Sequence, residues 1–214
     1  MRQNPPSEKK SSPSAEPAGG DLARKESEGE AGGKGFLDRK LLEARTILVS
    51  GQVTPEMAMD IQAKVLILEN ENPKEAITVF INSPGGNADS GFAIFDILKF
   101  TECPVRTVVN GVCASAAVLI FLGADKKHRF SLPHSRFLLH QPAAGTQGDA
   151  SDLAITAREI LKMRERYNKI VADASGQTPE KVLADVNRDF WLNPEEAREY
   201  GLVGKVISTR KELK

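Results

Sequence analysis

The sequence predicts an α/β domain built on a largely parallel sheet, and three observations carry that prediction. Short apolar runs rich in β-branched residues alternate with longer segments whose apolar residues recur at helical spacing. Several helical segments open on Thr-Pro-Glu or Asn-Pro-Glu, where the first residue can cap and proline suits the first turn. Strand and helix succeed one another along a chain of 214 residues, enough for one sizeable core.

The elements follow in order. Before residue 36 the chain reads "SSPSAEPAGGDLARKESEGEAGGKG", with almost nothing to bury, so residues 1–35 are expected to form a disordered tail. Its acids Glu8, Glu16, Asp21, Glu26, Glu28 and Glu30 do not suit an organelle address. The remaining chain, 36–214, is expected to be the folded domain. "RTILVSG" is a strand; "TPEMAMDIQAKVLILEN" is a helix capped by Thr54, with Met57, Ile61, Val65 and Leu68 at helical spacing. "AITVFIN" is a buried strand, and "DSGFAIFDILKF" a helix with Phe92, Phe95 and Leu98 on one face. "VRTVVNG" is a third strand, leading directly into "VCASAAVLIFLGA". Two short strands, "HRFSL" and "RFLLHQP", precede the longest helical pattern, from about Asp149 to Ala174, which "SGQ" ends. "TPEKVLADVN" and "NPEEAREYG" are further helices, the latter with Asn193 as cap and Gly201 as stop; "KVIST" closes as a strand.

Composition excludes several functions. Lysine plus arginine and aspartate plus glutamate each number 29, which gives no basic surface for nucleic acid. The two cysteines, Cys103 and Cys113, have no paired spacing, and His128, His134 and His140 show no metal-ligand pattern with them. The longest apolar stretch, Val112 to Leu122, is too short to span a bilayer, and the first ten residues lack a signal-peptide core. A soluble cytoplasmic protein, without metal or cofactor, is the expectation.

Three element ends carry groups with chemistry. Ser115 is the only hydroxyl in "NGVCASAAVLIFLGA", and a small polar residue there ordinarily serves as the N-cap of the helix that follows. The same position gives its hydroxyl the free N–H groups and dipole of a helix N-terminus, which favour a developing negative charge. The turn "INSPGGNADSG" places two adjacent glycines after a buried strand, where backbone N–H groups can turn toward an oxyanion or where a tight turn simply needs glycine. His140 ends an apolar strand, and Asp189 in "NRDFW" lies just beyond a helix, a place for a turn or a cap. A nucleophile, a base and an orienting acid at three element ends are the roles that acyl transfer requires together.

With these residues in view, the chain resembles the proteolytic subunits of the Clp protease family, serine peptidases of bacteria and organelles. The resemblance runs from about Leu41 to Ile207 through "LLEARTILVSG", "INSPGG", "CASA", "HQP", "NRDFW" and "EEAREYGLVGKV". It implies a crotonase- and Clp-peptidase-like fold of repeated strand–helix units with a protruding handle helix at 149–174. It also implies Ser115 as nucleophile, His140 as general base, Asp189 as orienting acid, and the N–H groups of Gly86 and Ala116 as an oxyanion hole. An extended polypeptide substrate would pair near Asn87, Pro142 and Ala143. Further implications are stacked seven-membered rings around a chamber and partnership with a Clp-family unfolding ATPase.

The chain departs from the family pattern in three places. Ala116 stands where a methionine usually follows the serine; the N–H survives, and the pocket for the substrate side chain changes. Asn187 stands beside Arg188 where an acid often links neighbouring subunits. The axial loop that gates the pore and docks the ATPase is not recognisable in residues 1–35. Two rivals remain: a crotonase-type enzyme of acyl thioesters, which does not need the three residues together, and a non-catalytic ring subunit, which has no use for an intact set.

Overall fold

The computed structural model describes Met1 and residues 35–143, 145 and 147–213. The tail read from composition lies outside the described residues except at its two ends. The chain divides into two units, Met1–Lys40 and Leu41–Lys214, each described by itself. A helix, α1, runs over 35–43; sequence periodicity did not suggest it, and its residues 35–40 are exposed.

The second unit carries seven strands: β1 (Thr46–Ser50), β2 (Ile77–Ser83), β3 (Val105–Ala114), β4 (Arg129–Ser131), β5 (Arg136–Leu139), β6 (Phe190–Leu192) and β7 (Lys205–Val206). Its helices are α2 (Pro55–Glu71), α3 (Ala88–Phe100), α4 (Ala116–Leu122), α5 (Ala150–Ser175), α6 (Pro179–Asp185) and α7 (Pro194–Tyr200). The caps read from sequence form as expected. Thr54 accepts from Met57 N–H and Thr178 from Lys181 N–H, and Asn193 and Glu196 make a reciprocal capping box before left-handed Gly201 ends α7. Gly176, at φ 80°, ends α5.

The sheet order is β1-β2-β3-β4-β7, with β5 pairing β3 and β6 pairing β5. Every pair is parallel except β5–β6. The strand β6 escaped the sequence reading, because three residues are too few to show a period. β2 buries one face fully, and on the other Phe80 packs against a small cluster of Val108, Phe130 and Ile207. Ile77, Val79 and Ile81 are fully buried, while Thr78 and Phe80 on the other face are half-buried. Each buried aliphatic side chain contributes about 1.5–3 kcal/mol relative to exposure. Their cover is α2, α3 and α4, through Ile61, Val65, Leu68, Ile94, Leu98 and the wholly buried Ala116–Leu122.

A bulge divides β3. Ile81 pairs with Val109 and Ser83 with Cys113, so Asn82 alone faces Asn110, Gly111 and Val112. Before the bulge β3 pairs with β4; after it, Val112–Ala114 pair with Arg136–Leu138 of β5. The sheet thereby forks. One branch continues to β7, and the other carries the end of β3, β5 and β6.

The long helix α5 is divided in exposure. Ser151 to Ile155 are exposed, whereas Tyr167, Asn168, Val171, Ala172 and Ser175 are buried in the domain. Its second half is anchored and its first half projects apolar Leu153, Ile155 and Leu161 into solvent, as a handle would. Among the described residues no helix is long and apolar enough to cross a membrane.

Candidate active site

Ser115 joins β3 to α4 with φ 56° and ψ −122°, a conformation that non-glycine residues rarely adopt and that costs about 1–3 kcal/mol. It stands at the N-cap position, but its hydroxyl makes no capping hydrogen bond. Backbone conformation explains the difference. The working caps Thr54, Thr178 and Asn193 have extended backbones with negative φ, and Ser115 does not. The N–H of Ser115 donates to Leu138 O at 2.9 Å, fixing its backbone to β5 and leaving its hydroxyl unspent.

The two-glycine turn packs directly against this elbow. Ser83 Oγ accepts from Gly85 N–H at 3.1 Å, and Gly85 takes φ 88°. A Cβ on Gly85 would lie 2.5 Å from Ala114 O, 2.7 Å from Ser115 Cβ and 3.0 Å from Ala116 N, so only glycine allows the approach. Gly86 bridges Val53 in parallel: Val53 N–H donates to Gly85 O and Asn87 N–H donates to Val53 O, both at 2.9 Å. The N–H and C=O of Gly86 itself, lying between those bonded groups, face away from Val53.

Asn87 is already committed inside the protein. Its N–H bonds Val53, its carbonyl accepts from Gly91 N–H, and its side chain caps α3 through Ser90. Asn87 therefore shapes the cleft wall, and Gly86 is left as the group able to pair with an incoming backbone.

His140 follows β5 and is half-buried. Asp189 immediately precedes β6 rather than sitting in a turn or a cap. The antiparallel register pairs Phe137 with Leu192, Leu138 with Trp191 and Leu139 with Phe190. His140 and Asp189 are thus the next opposed pair. Gln141 fastens the two segments, its N–H donating to Val186 O at 2.9 Å and its Nε2 to Asn187 O at 3.1 Å.

Ser115, Ala116, Gly86, Asn87, His140, Pro142 and Ala143 all line one cleft of about 420 Å³. Asp189 is exposed and does not line it. Among the described residues no hydrogen bond joins the Ser115, His140 and Asp189 side chains. The cleft's apolar wall is Phe92, Leu119, Ile160, Met163 and Tyr167. Arg166 lies over the Phe92 ring at 4.6 Å. Burial pushes the Tyr167 hydroxyl far above the ordinary phenol range. The resemblance implies a protruding handle at 149–174, and Ile160, Met163 and Tyr167 of that helix line the cleft. Their spacing at 160, 163 and 167 is the signal that they share a face.

A serine on a strained strand-to-helix elbow, beside a histidine and a two-glycine turn on an α/β sheet, defines a serine-type peptidase class of hydrolase. The Clp protease family model matches residues 34–210, and the chain belongs to that family. The ATP-dependent Clp protease proteolytic subunit 2 of Pseudomonas aeruginosa is 47% identical over 183 residues, covering 84% of this chain and 90% of that protein. The subunit 2 of Treponema denticola is 42% identical over 177 residues, covering 83% and 88%. A solved structure of a mutant ClpP1 from Listeria monocytogenes superposes with TM-score 0.77 at 42% identity, covering 83% of this chain and 99% of that one. The chain is accordingly a Clp-type serine peptidase.

Proposed function

We propose that Ser115 is the acyl-enzyme nucleophile, His140 its general base and Asp189 the acid that orients the imidazole. The observation that carries this reading is the unspent Ser115 hydroxyl on a strained elbow, lining the same cleft as His140. Ser115 Oγ attacks the scissile carbonyl carbon as His140 takes its proton, and the N–H groups of Gly86 and Ala116 receive the oxyanion. Collapse expels the amine, which leaves with the proton from His140. Water, deprotonated in turn by His140, then releases the acid and restores the serine. An extended polypeptide pairs with Gly86 on one side and with the segment of Pro142 and Ala143 on the other.

Labelling with a fluorophosphonate and mapping the modified peptide tests the assignment. Modification at Ser115 is expected. An unmodified Ser115 would favour a crotonase-type enzyme or a non-catalytic ring subunit.

The site is completed by assembly. Paired rings of seven subunits around a chamber are supported by the exposed Leu153, Ile155 and Leu161 of α5 and by the exposed Leu48 of β1. Asp189, Asn187 and Arg188 are exposed in the single chain, where a neighbour can order them and draw the triad into line. A Clp-type unfolding ATPase as partner is consistent with relatives that are named ATP-dependent. A cytoplasmic location fits the same reading.

Two predictions arise here. An uncharged Asn187 lacks the charge-assisted bond that a carboxylate gives an arginine, a difference of about 0.5–1 kcal/mol per exposed pair. Asn187→Asp is therefore expected to assemble the double ring at lower protein concentration, most clearly at low salt. Sedimentation of parent and variant over a dilution series measures it, and identical curves at low ionic strength would refute it. Second, a chain starting at Phe36 should hydrolyse short peptides like the parent, since residues 1–35 lack apolar content. Lost peptide activity in that truncation would assign the segment a structural role.

A further inference from the structure

We infer that Asn82 is a positioning residue for the reaction: its carboxamide holds the β3 bulge that aims Ser115 at the strand carrying His140. The inference rests on the reading of Ser115 as nucleophile. Asn82 itself does not line the cleft.

The bulge creates a specific problem. Where Asn110, Gly111 and Val112 face a single residue of β2, the strand's regular ladder cannot satisfy their amides. Asn82 supplies the missing acceptor, its Oδ1 receiving the Val112 N–H at 3.1 Å. Gly111 makes room for it. At φ 153° this residue presents no Cβ, and an added one would run into the Asn82 carboxamide. The Asn82 carbonyl meanwhile accepts from Gly51 N–H at 3.2 Å, so one residue ties the end of β1 to the bulged part of β3.

The consequence reaches the site within three residues. Up to Val109 the strand belongs to β4, and from Val112 it belongs to β5. That exchange of partner leads through Cys113 and Ala114 to the hydrogen bond from Ser115 N–H to Leu138 O, two residues before His140. Without the bulge, β3 would continue along β4, and its end would not meet β5. The carboxamide therefore sets the direction of the segment that presents the nucleophile. Asn82 is itself exposed near the end of β2, so replacing it removes no core packing.

The test uses the full chain, comparing parent, Asn82→Ala, Asn82→Asp and Asn82→Leu. Aspartate keeps an acceptor at the Val112 N–H, and leucine keeps bulk without one. Each protein is assayed for the rate of Ser115 labelling by a fluorophosphonate, for kcat and KM on a short fluorogenic peptide, and for its melting transition. Asn82→Ala and Asn82→Leu are expected to lose roughly 10- to 100-fold in kcat and in labelling rate, the scale of a displaced reacting group, with KM within about twofold. Asn82→Asp should recover most of both. Parental kcat and labelling in Asn82→Ala, with only a lower melting temperature, would overturn the inference. If Asn82→Ala does not fold, equal kcat in the aspartate and leucine variants overturns it instead. A parent that is not labelled at Ser115 overturns the nucleophile reading, and this inference with it.

Discussion

Ser115→Ala is expected to lower short-peptide hydrolysis by roughly a thousandfold or more while leaving stability and assembly unchanged. Both halves of that statement follow from the elbow. The hydroxyl is the atom that would form the acyl-enzyme, so without it only the oxyanion N–H groups and substrate binding remain to accelerate water attack. The same hydroxyl caps no helix N–H, so its removal leaves no cap donor unsatisfied among the described residues. Alanine also keeps the Cβ that the backbone already tolerates at φ 56°. A capping serine behaves in the opposite way. Thr54→Ala, which removes a real cap on Met57 N–H, should cost about 1 kcal/mol and spare activity. Melting curves and fluorogenic-peptide turnover for the two variants separate the roles. A Ser115→Ala protein that is destabilised like Thr54→Ala and cleaves at the parental rate would return Ser115 to a helix cap.

Much of the fold was legible because its signals are local. A Thr-Pro-Glu start, a box of Asn193 with Glu196 and a glycine stop each act within one or two turns, and each formed where read. The misreadings share the opposite character. The sequence reading closes the third strand at Gly111, whereas β3 runs on to Ala114. Gly111 is instead the yielding point of a bulge whose other half, Asn82, lies in another strand. β6 exists because β5 offers it a partner, and nothing within "DFWLN" announces that.

The candidate site divides along the same line. Ser115, His140 and the glycines stood out as polar or small residues at the ends of apolar elements, a pattern visible along the chain. Opposition of His140 and Asp189 depends on an antiparallel register between segments some fifty residues apart, for which no local signal exists. Asn87 lines the cleft, and its hydrogen bond to Val53 joins distant segments, which the local sequence does not announce. Ile160, Met163 and Tyr167 recur at helical spacing in the sequence, and only the packing shows that they face the cleft.

The second large effect is expected at Gly85, with Gly51 as its control. Both glycines have nearly the same backbone, φ 88° and φ 83°. A Cβ on Gly51 would meet nothing within 4 Å, so Gly51→Ala isolates the cost of a left-handed backbone, about 1–2 kcal/mol. Gly85→Ala adds to that cost a Cβ 2.5 Å from Ala114 O and 3.0 Å from Ala116 N, both main-chain atoms of the elbow. Backbone cannot rotate out of the way as a side-chain end does, so either the turn or the elbow must move. Overpacking of this kind costs about 1–3 kcal/mol more. The displaced atoms flank Ser115, and the turn also carries the Gly86 N–H, so activity should fall further than stability, by roughly a hundredfold. Denaturant melts give the first quantity. Peptide turnover per fluorophosphonate-titrated site, with the labelling rate beside it, gives the second. A Gly85→Ala protein that matches Gly51→Ala in both melting and turnover would show that the two-glycine turn yields freely and does not hold the elbow in place.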